Sequence, residues 1–84
     1  MDTVELAMRI EEEFALVIPE RVGETIETVG DIQTFVIKTL EARGEAVDPN
    51  DVWRRVVAIV ADQAGVDPQT LAPHTHIVYD LGLD

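Results

Sequence analysis

The sequence predicts an all-α fold, a bundle of three longer helices and one short one, on three observations. Apolar residues recur at helical spacing in three separate stretches. No stretch of comparable length alternates with the period of two that a strand needs. Helix-start and helix-stop residues bracket the periodic stretches. With 84 residues there is room for one small domain, and 46% apolar against 27% charged residues marks the chain as globular. Only Phe14, Phe35, Trp53 and Tyr79 supply aromatic bulk, so the core must be aliphatic and thin. With no cysteine to staple it, stability should be marginal.

The first helix spans Asp2 to about Ala15, with Thr3, Leu6, Ala7, Ile10 and Phe14 on one stripe and Asp2, Glu5, Glu12 and Glu13 opposite. Around Pro19 a brief, mobile helix is expected, because Pro19 can open a turn while Gly23 weakens it by about 1 kcal/mol relative to alanine. Thr28-Val29-Gly30-Asp31 places a hydroxyl three residues before a carboxylate, a capping signature that opens a helix burying Val29, Ile32, Phe35, Val36 and Leu40. Gly44 should end it in the left-handed conformation. Asp48-Pro49 then supplies an N-cap and a first-turn proline for a helix whose Val52, Trp53, Val56, Val57, Ile59 and Val60 face inward, until Gly65 stops it. Beyond Gly65, two prolines and the isolated anchors Leu71, Ile77 and Leu81 describe a long loop pinned to the core. There is no internal repeat, which excludes a solenoid.

Seventeen carboxylates oppose six Lys and Arg, a net charge of −11. Such a chain repels nucleic acid and anionic membranes alike, so its expected partners are basic protein surfaces or cations. No apolar run approaches the roughly 20 residues of a membrane span, and no basic segment leads into an apolar signal core. The expectation is a cytoplasmic monomer.

Intrinsic catalysis is not expected. The chain contains neither serine nor cysteine, and no motif links a threonine to a histidine. His74 and His76 near Asp80 lack the i,i+4 spacing or thiolate partners of a zinc site and read as loop residues. The Asp80–Asp84 pair is far shorter than a calcium loop of about twelve residues. Glu11-Glu12-Glu13 could be a solvated helix face. Met1, Val4 and Met8 fall beside that acidic strip and not with the core stripe, however, a combination suited to docking on basic, partly apolar partners.

Read cyclically, the two tips of the chain carry a motif. Asp80-Leu81-Gly82-Leu83-Asp84 followed by Met1-Asp2-Thr3-Val4-Glu5-Leu6 resembles the prosthetic-group motif of acyl carrier proteins, Asp-Leu-Gly-x-Asp-Ser-Leu-Asp-x-Val-Glu-Leu, with the serine missing at the junction. The similarity continues through Glu11-Glu12-Glu13-Phe14, Ile18-Pro19 and Thr28-Val29-Gly30-Asp31, then from Val52 through Gly65-Val66 to Leu71. It thus covers one domain in circularly permuted order, 49–84 then 1–43, with 44–48 joining what would be the family's own termini.

The resemblance implies an acyl-carrier-like four-helix bundle that carries acyl groups as thioesters on a 4′-phosphopantetheine arm between biosynthetic enzymes. Asp84, Met1 and Asp2 would flank the attachment serine, Asp84 assisting the phosphopantetheinyl transferase and its metal ion. A phosphodiester on a helix N-cap would face unpaired N–H groups and the positive dipole end. Asp2, Glu5, Glu11, Glu12 and Glu13 would meet the basic surfaces of acyl-transferring and synthase enzymes, with Met1, Val4 and Met8 as apolar contacts. The acyl chain would enter between the first helix and the short one, against Leu6, Ala7, Ile10, Val22 and Ile26. Ile77 stands where the family often has an aromatic residue. Two arrangements accommodate the missing serine. Either a chemically modified serine lies between the tips, or the chain is permuted or severed without its attachment residue and acts as an acidic interaction module.

Overall fold

The computed structural model describes Asp2 to Leu83, the side chain of Asp2 excepted. Four α-helices follow in order: α1 (Asp2–Phe14), α2 (Glu20–Gly23), α3 (Val29–Ala42) and α4 (Pro49–Ala64). A single 3₁₀ turn at Pro68–Thr70 leads into a succession of turns ending at Leu83. Among the described residues there is no strand, only an isolated antiparallel bridge between Thr28 and His76. No described helix is long and apolar enough to cross a membrane.

The caps form where the sequence signals them. Thr28 and Asp31 make a reciprocal capping box: the Asp31 N–H donates to Thr28 Oγ1 at 3.1 Å, and Asp31 Oδ2 accepts the Thr28 N–H at 3.0 Å. The other N–H groups of the first turn of α3 are met by the C-terminal loop, Val29 donating to the Thr75 carbonyl at 3.0 Å and Gly30 to that of Pro73 at 2.9 Å. At the far end, Gly44 (φ 80°) donates to Glu41 O and Glu45 to Leu40 O, the paired bonds of a Schellman stop. Asp48 caps α4 through Asn50 N–H at 2.9 Å, and left-handed Gly65 closes it.

α4 packs against both α3 and α1 and is the centre of the bundle. Its Val56 and Val60 are wholly buried among Ile10 of α1 and Val29 and Val36 of α3. The shortest dimension of the molecule, 20 Å, equals two helix diameters of about 10 Å, so the core is a single thin sheet of aliphatic side chains. Two residues assigned to that core, Phe35 and Trp53, prove half-buried: each packs on the cluster from the edge of its helical stripe.

α1 ends one residue earlier than its periodicity suggests. Ala15 takes a left-handed conformation (φ 52°), and Leu16 N–H reaches back to Glu11 O at 3.1 Å. Two arginines distant in sequence, Arg43 just after α3 and Arg55 on α4, secure this turn. Arg43 donates to the carbonyls of Ala15 (2.5 Å) and Phe14 (3.2 Å), and Arg55 donates to the Glu13 carbonyl (3.0 Å) while lying 4.4 Å over the Phe14 ring.

Candidate functional site

The bundle leaves one side of α1 uncovered by another long helix. There the chain from Ile18 to Ile26, including α2, arches over a cleft of about 560 Å³. The floor is aliphatic: Leu6, Ala7 and Ile10 from α1, Ile32 from α3 and Ile77 from the C-terminal loop. The cover is Ile18, Pro19, Gly23 and Ile26. A volume in the range of about 300–1,000 Å³ with apolar walls is that of a small-molecule site. α2 is one turn long and buries none of its residues, so it contributes little packing to hold the cover in place.

Four of the five residues assigned to this space from sequence, Leu6, Ala7, Ile10 and Ile26, line it. Val22 does not. Glu20 and Gly23 of α2 and Glu24 just after it border the cleft, while Val22 is half-buried without lining it. Ile18, Ile77 and Val78 were not assigned to the pocket and do line it. Ile18 carried a signal in the Ile18-Pro19 dipeptide of the resemblance and Ile77 one in its place where the family often has an aromatic residue, whereas Val78 arrives through tertiary packing alone.

The acidic residues of α1 divide into two groups. Along one edge, Glu13 is bound by Arg55 (2.8 Å), Glu5 accepts from Gln63 Nε2 (3.2 Å), and Arg9 pairs with Asp62 (3.0 Å) while donating to Gln63 Oε1 (3.1 Å). These groups join α1 to α4. Glu13, assigned to a partner surface, is therefore largely committed within the fold. Along the other edge, Val4 and Met8 lie about half exposed at the rim of the cleft, and Glu12 is free to solvent. Glu11 lines the cleft and accepts the Ile18 N–H at 2.7 Å. Met1, Asp84 and the side chain of Asp2, all assigned to the attachment point, lie outside the described residues.

The histidine loop is occupied with its own turn. His76 Nδ1 accepts the N–H groups of Val78 (3.2 Å) and Tyr79 (3.1 Å), and the imidazole stacks on the Tyr79 ring at 4.2 Å. Asp80 Oδ2 accepts the His76 N–H at 2.7 Å. His74, Thr75 and Asp80 line a second, more polar hollow, and among the described residues no group of three or more His, Asp or Glu is arranged to hold a metal ion.

Electrostatics mark one residue, Asp31. Its carboxyl is held below the usual carboxylate range, chiefly by the Glu27 N–H it accepts and then by the N–H and hydroxyl of Thr28 and the proximity of His76, with desolvation opposing. These are the groups of a helix cap, and they assign it structural work.

No family model matches the sequence, and no solved structure matches the chain.

Proposed function

We propose that this chain is an acyl-carrier-like domain in circularly permuted order, which shelters the acyl group of a thioester and presents it to biosynthetic enzymes without catalysing a reaction itself. The observation that carries this reading is the apolar cleft of about 560 Å³ between α1 and the one-turn α2, lined by Leu6, Ala7, Ile10 and Ile26. Support comes from the lining of the cleft, which draws Thr3 and Val4 of α1 together with Ile77 and Val78 of the C-terminal loop.

The described residues fit the acyl end of a phosphopantetheine-borne cargo, because the cleft floor is aliphatic, with Glu11, Glu20 and Glu24 among its other lining residues, and the half-exposed Val4 and Met8 border it. When bound, the group supplies a thiol on which acyl chains ride as thioesters. Leu6, Ile10, Ile32 and Ile77 would exclude water from the chain, and Glu12, Val4 and Met8 would meet basic, partly apolar enzyme surfaces. Such work fits the cytoplasm and fatty acid or related lipid biosynthesis.

Intact mass of the purified protein, after exposure to a phosphopantetheinyl transferase and coenzyme A, tests the reading. The expected mass exceeds that of the 84 residues by one serine and one phosphopantetheinyl group. A mass equal to the 84 residues removes covalent carriage. One observation favours a second reading: the chain has no serine at all, which suits an acidic helical module that binds basic proteins non-covalently. That reading takes over on the unmodified mass.

A further inference from the structure

We infer that Glu11 is the latch that holds the cover of the α1–α2 cleft closed. The segment from Ile18 to Ile26 roofs the cleft, yet α2 within it buries no residue. Its attachments are therefore few. At its downstream end Ile26 packs on the core and the chain enters the capping box of α3, where Glu27 N–H and Thr28 N–H both bond Asp31 at 3.0 Å. At its upstream end, the half-buried Ile18 side chain packs on the core as Ile26 does, and its backbone N–H is held by Glu11 Oε2 at 2.7 Å. A bond from a neutral amide to an ionised carboxylate is short and stronger than one between neutral groups.

The placement makes this bond a control point. Glu11 lies on α1, whose end is clamped by Arg43 and Arg55, so the acceptor is fixed while the donor belongs to the movable segment. Glu11 also lines the cleft itself, so an occupant that carries a hydrogen-bond donor competes with Ile18 for the carboxylate, whereas a bare alkyl chain does not. Releasing Ile18 frees the chain from Ile18 to Gly23 to swing on Ile26, while Leu16, buried just upstream, remains in the core. Glu11 is thus a positioning residue for the roof, acting through Ile18. This role deepens the proposed acyl-sheltering function and rests on the cleft being the cargo site.

The test follows amide exchange by NMR in wild type, Glu11→Ala and Glu11→Gln, together with binding of the neutral apolar dye N-phenyl-1-naphthylamine. In Glu11→Ala the Ile18 and Gly23 amides should exchange about tenfold faster or more, with Val56 and Val60 unchanged, and the dye should dissociate faster. Glu11→Gln keeps an acceptor oxygen and should restore most of the protection. Unchanged exchange at Ile18 overturns the latch, as does acceleration spread equally through α4, which would mean general destabilisation. A wild type that takes up no dye defeats the cleft as a cargo site, while exchange at Ile18 still decides whether Glu11 holds the roof.

Discussion

The guanidinium of Arg43, one residue beyond α3, donates to the carbonyl of Ala15 at 2.5 Å and so closes the end of α1 from 28 positions away. Ala15 is left-handed without being glycine, a conformation that costs a non-glycine residue about 1–2 kcal/mol. The clamp and the strain occupy the same turn and act in opposite directions. Arg43→Ala should therefore destabilise the fold by about 1–2 kcal/mol, the worth of its carbonyl bonds after allowance for partial exposure. Ala15→Gly should stabilise it by about 0.5–1 kcal/mol, since glycine relieves the strain but loses more chain entropy on folding. Urea unfolding midpoints of the two variants, read with unchanged slopes, check both signs.

Two glycines should respond oppositely to one substitution. A Cβ on Gly30 would stand 2.8 Å from the Pro73 carbonyl oxygen and 3.1 Å from Pro73 Cβ, where α3 meets the C-terminal loop. Gly30→Ala must push that loop away and should cost about 1–3 kcal/mol despite the better helix propensity of alanine. A Cβ on Gly23 meets nothing within 4 Å, and Gly23→Ala should add up to about 1 kcal/mol by favouring α2. Thermal unfolding by circular dichroism distinguishes them, and equal shifts of one sign would contradict the packing described at Pro73.

The acid dependence of stability should run partly through Asp31. Its carboxyl is depressed in the fold, first by the Glu27 N–H, so protonation is resisted there more than in the unfolded chain. The contribution is present above the unfolded value of about 3.9 and is lost as pH falls through the lower folded value. Asp31→Asn should lower stability near neutral pH and flatten the loss as pH falls below the unfolded value of about 3.9. Urea midpoints at pH 6 and pH 3 measure the difference, and parallel pH profiles for variant and wild type would remove Asp31 from this role.

Much of the fold is legible in the sequence because its signals are local. Helical periodicity, the Thr28–Asp31 box, Asp48-Pro49 and the stops at Gly44 and Gly65 each act within a few residues, and each forms. The clamps on α1 escape such reading: Arg43 and Arg55 reach their carbonyls across 28 and 42 positions, and an arginine in sequence does not declare its partner. Leu83 is similar. Leu81 reads as the anchor and is only half-buried, because left-handed Gly82 reverses the chain and Leu83 N–H bonds Ile77 O at 3.2 Å, carrying Leu83 into the core. Within the cleft, the α1 residues follow from the helical stripe, whereas Val22 does not line it, a single turn giving no periodicity from which to choose an inner face.

Ala7 offers the most direct intervention in the cleft. It is a half-buried alanine of α1 on the cleft floor, flanked there by Leu6 and Ile10, so a larger side chain can grow into open space without displacing the α4 contacts. Ala7→Trp should obstruct the part of the cleft beside Leu6 and Ile10 and leave helix content unchanged. A neutral apolar dye should then bind at least about tenfold more weakly, corresponding to roughly 1.4 kcal/mol. On loaded protein, a long-chain thioester should lose protection from hydrolysis for the same reason, because its chain can no longer leave water. Val4→Ala, at the rim, removes contact area without filling the cleft and should weaken the dye by a smaller factor. If Ala7→Trp folds normally and both dye affinity and thioester lifetime match wild type, the cargo does not lie between α1 and α2.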